Sequence, residues 1–181
     1  MTGGSNELAQ YDQPAALKNG TAVRVRAVRP DDKKRLAEAF RNLEKESVYT
    51  RFFYQKRELS TDDLKSATEV DFDTVVALVV AIRGGEKETI VGGGRYAVID
   101  PAGTPRSAEV SFTVEEDYQG QGMAGLLLRH LAAIARAAGV ARFEAEVLAH
   151  NRGMLKVFGE SGLPMKTAPG GDVVHVTLAL T

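Results

Sequence analysis

The chain has 181 residues, with 23 lysines and arginines against 24 aspartates and glutamates, and no cysteine. That length suits one domain with a sizeable core, and the balanced charge argues against a strong non-specific hold on nucleic acid or membrane. The lack of cysteine excludes disulfides, a thiolate nucleophile and cysteine-ligated zinc, and the three scattered histidines, His130, His150 and His175, lack metal-ligand spacing, so no metal is expected.

The opening stretch, Met1 to about Asn6, is polar and glycine-bearing, and residues 1–10 are expected to form a flexible tail before a single domain over 11–181. It has no signal-peptide core, and no later run reaches membrane-spanning length, so a cytoplasmic location is expected. Tyr11 to Leu17 has some apolar content and suits the domain surface, and Asn19-Gly20 marks a turn. Ala22 to Val28 alternates as a half-buried strand does. Pro30-Asp31-Asp32 opens a helix, with proline and acids suited to its first turn, and Leu36, Ala37, Phe40 and Leu43 supply one buried face. Ser47 to Phe53 reads as a short helix or loop, and Ser60-Thr61-Asp62-Asp63 as a capping box that starts another helix.

Thr74 to Ile82 is almost continuously apolar and β-branched, which predicts a central strand covered on both faces. After a turn at Arg83 to Glu86, Thr89 to Ile99 is the next strand. Gly92-Gly93-Gly94 within it predicts a bulge or the close approach of another group. A turn at Asp100 to Gly103 returns the chain antiparallel through Ala108 to Val114. The remaining elements are a helix over Leu126 to Ala138 stopped by Gly139, a strand over Arg142 to Leu148, a short helix over Asn151 to Ser161, and a hairpin of Pro164 to Lys166 and Val173 to Leu180 around Gly170-Gly171. The order β-α-α-β-β-β-α-β-α-β-β is α/β, with a mixed central sheet flanked by helices.

The stretch that organises this chain is Gln119-Gly120-Gln121-Gly122-Met123-Ala124-Gly125, between a strand and a long helix. Glycines there expose backbone N–H groups, and the helix start adds partial positive charge, which together favour a phosphate or pyrophosphate. Gly120, Gly122 and Gly125 also spell the dinucleotide fingerprint, and Glu144 lies near the distance of its ribose-binding acid. That reading fails, because residues 115–119 separate Val114 from the first glycine and too little chain follows Glu144 for a doubly wound sheet.

Gln119-x-x-Gly122-x-Ala124 instead resembles the acyl-CoA pyrophosphate loop of the GNAT N-acetyltransferases. Asn151 to Leu163 is similar to a second GNAT pattern, from which Met154, Val157, Phe158, Glu160 and Leu163 depart. Ala108-Glu109-Val110-Ser111-Phe112-Thr113-Val114 resembles the strand that carries the catalytic glutamate in GNAT protein lysine acetyltransferases. Val23 to Asp32, Glu46 to Phe53 and Arg57 to Ser60 narrow the resemblance to the Pat-type protein lysine acetyltransferases. It covers about Tyr11 to the end.

The resemblance implies acetyl-CoA as co-substrate and a protein with an exposed lysine as acceptor, an acyl-CoA synthetase being one candidate. It implies that backbone N–H groups of Gln119, Gly120, Gln121, Gly122, Met123, Ala124 and Gly125 hold the pyrophosphate, and that the backbone of Phe112, Thr113 and Val114 pairs with the pantetheine arm. A strand N–H near Val114 would face the thioester carbonyl, and Asn151, Met154 and Phe158 would lie on the pantetheine side. Acetyl transfer needs the lysine amine, whose pKa is ordinarily near about 10.4, to lose a proton. Glu109 is the candidate base, with burial in its apolar strand expected to raise its pKa. On the residues alone, an ion pair of Glu109 with Arg95 or Arg24 is the commoner fate of a strand carboxylate; the matching motif favours the base. Phe158 stands where many GNATs carry a tyrosine that protonates the leaving thiolate, so that role is empty here. Two other readings keep the same loop: acetylation of a small amine, and a non-catalytic acyl-CoA-binding regulatory domain.

Overall fold

The computed structural model describes residues 3–41, 59–114 and 118–181. The readings of Leu43, of Glu46 to Phe53, of Arg57-Glu58 and of residues 115–117 lie outside the described residues.

One mixed sheet of eight strands carries the chain, in the spatial order β1-β2-β3-β4-β5-β6-β8-β7. These strands are β1 Asp12–Ala16, β2 Ala22–Ala27, β3 Val75–Gly84, β4 Lys87–Val98, β5 Ser107–Val114, β6 Arg142–Leu148, β7 Met165–Gly170 and β8 Val173–Ala179. The helices are α1 Gly3–Leu8, a 3-10 turn Pro30–Asp32 that runs into α2 Lys33–Arg41, α3 Thr61–Thr68, α4 Met123–Ala137 and α5 Arg152–Gly159. All the strand pairs are antiparallel except β5 with β6. Among the described residues the elements follow the sequence order, with two additions at the front. Gly3–Leu8, in the stretch expected to form a tail, is helical, and Leu8 and Ala9 pack against the core. Asp12–Ala16 is an edge strand, paired from Asp12 opposite Arg26 to Ala16 opposite Ala22.

The sheet separates two helical layers. β3 is buried from Val76 to Ala81, as its unbroken apolar run requires. On one face α4 packs across β3, β4 and β5 through Leu127, Leu131, Ile134 and Ala135. The three glycines of β4 do two jobs. Val80 pairs with Gly92 but Ala81 pairs with Ile90, so Val91 is an extra residue and the strand bulges. A Cβ on Gly92 would stand 2.2 Å from Met123 Sδ, and one on Gly94 would stand 2.8 Å from Phe112 Cδ1, so both notches are filled by neighbouring side chains.

α2 and α3 cover the other face, and a buried ionic clasp fixes α2. Arg26 of β2 donates from Nη1 and Nη2 to the two oxygens of Asp32, at 2.8 and 2.9 Å, and from Nη2 to Glu88 of β4. Asp32 also accepts from the backbone N–H of Arg29 at 2.8 Å and from Arg35 at 3.0 Å. Arg26 and Asp32 are 2 % and 0 % exposed, so each charge depends on its partners. Burial alone would raise the Asp32 and Glu88 carboxyls; the hydrogen bonds and charge of Arg26 outweigh it and hold both below the usual carboxylate range.

Because those carboxyls are depressed in the folded state, their stabilisation is present above the unfolded-state carboxylate pKa. It is lost as pH falls through the lower folded-state values. Asp32→Ala leaves a buried guanidinium half-paired, and should destabilise the fold by about 3–5 kcal/mol near neutral pH. Urea unfolding at several pH values should show that deficit shrinking on the acid side; an unchanged unfolding midpoint at neutral pH would contradict it.

Candidate active site

The site starts where two parallel strands part. β5 and β6 pair at only three positions, Ser107 with Arg142, Ala108 with Phe143 and Glu109 with Glu144. Beyond Glu109, β5 continues along β4 as far as Val114 opposite Gly92, and β6 continues along β8 as far as Leu148 opposite Val173. Between them a wedge opens toward the carboxyl ends of both strands, bordered by Val110 to Val114 on one side and Ala145 to Leu148 on the other. Backbone polar groups along such a gap have no ladder partner and accept an extended ligand as a strand would.

The glycine loop lies at the mouth of the wedge. Gly120 and Gly122 adopt φ 78° and 80°, a left-handed backbone that glycine takes without strain. Gly122 is the N-cap of α4, and its carbonyl accepts the first helical bond, from the Leu126 N–H at 3.0 Å. The N–H groups of Met123, Ala124 and Gly125 thus belong to the unsatisfied first turn and give a donor-rich, partly positive end. Gln119 donates from Nε2 to the Val114 carbonyl at 3.4 Å, which ties the loop to the end of β5. Among the described residues a Cβ at Gly120 would meet nothing within 4 Å, so the loop is open at that point.

The predicted pantetheine-side residues take different positions. Thr113 and Val114 are half-buried along the wedge. Phe112 and Phe158 pack on each other with ring centroids 6.1 Å apart, and at 9 % and 1 % exposure they form the floor beneath the gap. Met123 is likewise buried, its sulfur in the Gly92 notch, so only its backbone faces the loop. Asn151 caps α5 by accepting from the Met154 N–H at 3.2 Å, and Met154 is half-buried against the core.

Glu109 is the last paired residue before the strands separate, so it stands at the apex of the wedge. The expected burial is not found: Glu109 is exposed, because alternation turns it away from the apolar face that holds Ala108, Val110 and Phe112. It shares a face with Ser111 and Thr113, and with Arg95, which pairs across from Ser111. Burial pushes the Arg95 guanidinium down, and the charge of Glu109 acts in the opposite direction. No salt bridge joins Glu109 to Arg24, which instead donates to Asp12 at 2.7 Å. On this same face α2, α3 and the sheet enclose a cavity of about 230 Å³, lined among others by Leu36, Phe40, Ala67, Arg95, Ser111 and Thr113. Wedge and cavity therefore meet along β5.

These features agree with the comparisons. The sequence model of the Acetyltransferase (GNAT) family matches residues 36–163. This chain belongs to the GNAT acetyltransferase family. Acetyl-CoA is its acyl donor. The chain is 30 % identical over 149 residues to acetyltransferase Pat of Mycolicibacterium smegmatis, covering 82 % of this chain and 43 % of that protein. It is 29 % identical over 139 residues to an acetyltransferase of Pseudomonas aeruginosa, covering 77 % of this chain and 73 % of that one. Its fold matches the GNAT domain of S. lividans Pat with a TM-score of 0.84 at 36 % identity, over 93 % of this chain and 96 % of that domain. A Salmonella typhimurium putative acetyltransferase, solved with acetyl-CoA, shares the fold with a TM-score of 0.70 at 18 % identity, over 88 % and 94 % of the two chains.

Three residues beside the wedge and the cavity had no such signal in the sequence. Arg95 reads there as an ordinary strand arginine, and only the sheet register sets it beside the cavity. Lys18 and Asn19 belong to the β1–β2 turn, whose Asn-Gly signal is legible but whose landing place, on the glycine loop, is not. Among the described residues no cluster of three or more metal-ligating side chains exists, and no helix is long and apolar enough to cross a membrane.

Gly122 carries the sharpest local constraint of the loop. Any L-residue at φ 80° is strained by about 1–2 kcal/mol, and a Cβ would also stand 3.1 Å from Lys18 Cε. Gly122→Ala should lower the melting temperature slightly and weaken CoA binding more than tenfold, since a charge-assisted hydrogen bond is worth about 1.5–3 kcal/mol. Calorimetry with CoA on the folded variant checks this; wild-type affinity would contradict the loop as the phosphate seat.

Proposed function

We propose that the chain transfers the acetyl group of acetyl-CoA to the Nε of a protein lysine by direct attack on the thioester, with Glu109 as general base. The observation that carries this reading is the place of Glu109 at the apex of the wedge, on the face that bears the cavity. A donor lying along β5 with its pyrophosphate on the glycine loop directs its thioester toward that apex. An amine entering from the cavity side meets the thioester beside a carboxylate. The ammonium gives its proton to Glu109, the free amine adds to the carbonyl, and strand N–H groups stabilise the tetrahedral oxyanion; the C–S bond then breaks, CoA thiolate departs, and the nitrogen loses its second proton to solvent as the amide forms. Because Glu109 is exposed, its position rather than a buried environment supports the role, and solvent can carry the proton away.

The likeness to the Pat proteins supports a protein lysine as acceptor, and so does the cavity. Its lining is mainly apolar, with Arg95 and Asp63 as the charged groups among the described residues. That suits the four-methylene arm of one lysine better than a polycationic aminoglycoside, whose many charges a mainly apolar lining would leave unpaired. An acyl-CoA synthetase remains a natural first acceptor to assay. The chain spans 43 % of the M. smegmatis Pat, so whatever else that protein does is not carried over.

Glu109→Gln keeps the size of the side chain and removes its basicity. Turnover against lysine acceptors should fall by about 10²–10⁴-fold. CoA affinity and melting temperature should hardly move, because the residue is exposed and the donor is held by backbone groups. The residual rate should climb with pH as solvent deprotonates the amine. Near-normal turnover in the folded variant would remove Glu109 from the mechanism; lost stability with normal turnover would make it an ion-pair residue.

A further inference from the structure

The β1–β2 turn is built onto the glycine loop. It is closed internally: the Leu17 N–H donates to the Thr21 carbonyl at 3.0 Å, the Gly20 N–H to the Leu17 carbonyl at 2.9 Å, and the Thr21 N–H to Asn19 Oδ1 at 3.0 Å. Leu17 anchors it in the core at 4 % exposure. Two further bonds fasten the turn to the loop: the Lys18 N–H donates to the Gln121 carbonyl at 3.1 Å, and the Asn19 N–H to Gln121 Oε1 at 3.2 Å. The first bond fixes the Gln121–Gly122 peptide, turning its carbonyl toward the hairpin and its N–H the opposite way. The Lys18 side chain then lies along Gly122, with Cγ, Cδ and Cε 3.4, 3.6 and 3.1 Å from where a Cβ on that glycine would stand.

This arrangement answers a charge problem. A CoA pyrophosphate brings negative charge to a loop, Gln119 to Gly125, that contains no basic residue. Backbone dipoles attract it but do not neutralise it. The Lys18 ammonium lies one bond beyond Cε, so it reaches any phosphate seated at Gly122. We infer that Lys18, delivered by the β1–β2 hairpin, is a cation that pairs with the pyrophosphate of the acyl donor, and that the hairpin turn is part of the donor site. The inference rests on the acetyl-CoA reading of the loop. Lysine suits the role as a compact ammonium on a stem that is held at its base and free at its tip. Gln121 is then a positioning residue, whose carbonyl and side chain receive the turn.

The test is calorimetry of wild type, Lys18→Ala and Lys18→Arg with CoA and with 3′-dephospho-CoA, and displacement of CoA by pantetheine, which has no phosphate. Lys18→Ala should weaken CoA by about tenfold at low salt, and the gap should narrow as ionic strength rises. The same loss should appear with 3′-dephospho-CoA, pantetheine should bind all three proteins alike, and Lys18→Arg should stay close to wild type. Melting temperatures should agree, since the side chain is exposed. Unchanged CoA affinity in Lys18→Ala would overturn the inference and leave the acetyl-CoA reading standing. A loss that vanishes with 3′-dephospho-CoA would overturn the pyrophosphate assignment, and an equal loss for pantetheine would make the role structural. A wild type with no affinity for CoA would overturn the donor reading and this inference with it.

Discussion

The separation of β5 from β6 is the constraint on which the rest of the structure depends. Parallel neighbours ordinarily continue their ladder, since each unpaired backbone group needs another partner. Here the ladder stops after Glu109, because β5 stays in register with β4 up to Val114 while β6 follows β8 to Leu148. Phe112 and Phe158 fill the floor of the gap, so it is kept open by packed rings as well as by register. A pantetheine arm, extended and carrying two amides, can occupy such a gap in the manner of a short strand. The mouth of the wedge is aligned by a second contact: Met123 opens α4 and its sulfur occupies the notch left by Gly92. A glycine in β4 thus sets where the glycine loop gives way to α4.

In the proposed reaction the opposite face serves the acceptor, and its architecture rests on charge. α2 forms part of the cavity wall, and its start is pinned by Arg26, Asp32 and Glu88, from three different elements. Replacing one partner of a buried group of this kind is far more damaging than the net stabilisation by the intact group suggests. The two halves of the reaction are therefore supported differently. The donor rests on strand geometry and glycine, and the acceptor side on a buried ionic network.

Much of this was legible in the sequence, for identifiable reasons. β3 declared itself by an unbroken β-branched run, β6 by strict alternation, and α4 by a long amphipathic repeat, since each period matches the burial it produces. The triplet Gly92 to Gly94 foretold a bulge or a close approach, and the structure shows both. Other features were not legible. Gly3–Leu8 and Asp12–Ala16 carry weak local propensity and owe their form to docking on a sheet built from later residues. Glu109 was expected to be buried because its strand neighbours are apolar, but alternation alone already placed it on the other face. Lys18 and Arg95 acquire meaning only through contacts with residues far away in sequence, which no local pattern encodes.

Hydrogen exchange with and without acetyl-CoA tests the central claim most directly, because it reads the backbone groups assigned to the donor. The account predicts that amides in Val110 to Val114 and in Gln119 to Leu126 gain protection when acetyl-CoA is added, while the already buried ladder between β3 and β4 is unchanged. Protection confined to α2, α3 and the cavity wall, or none in either stretch at saturating acetyl-CoA, would contradict the wedge between β5 and β6 as the donor site.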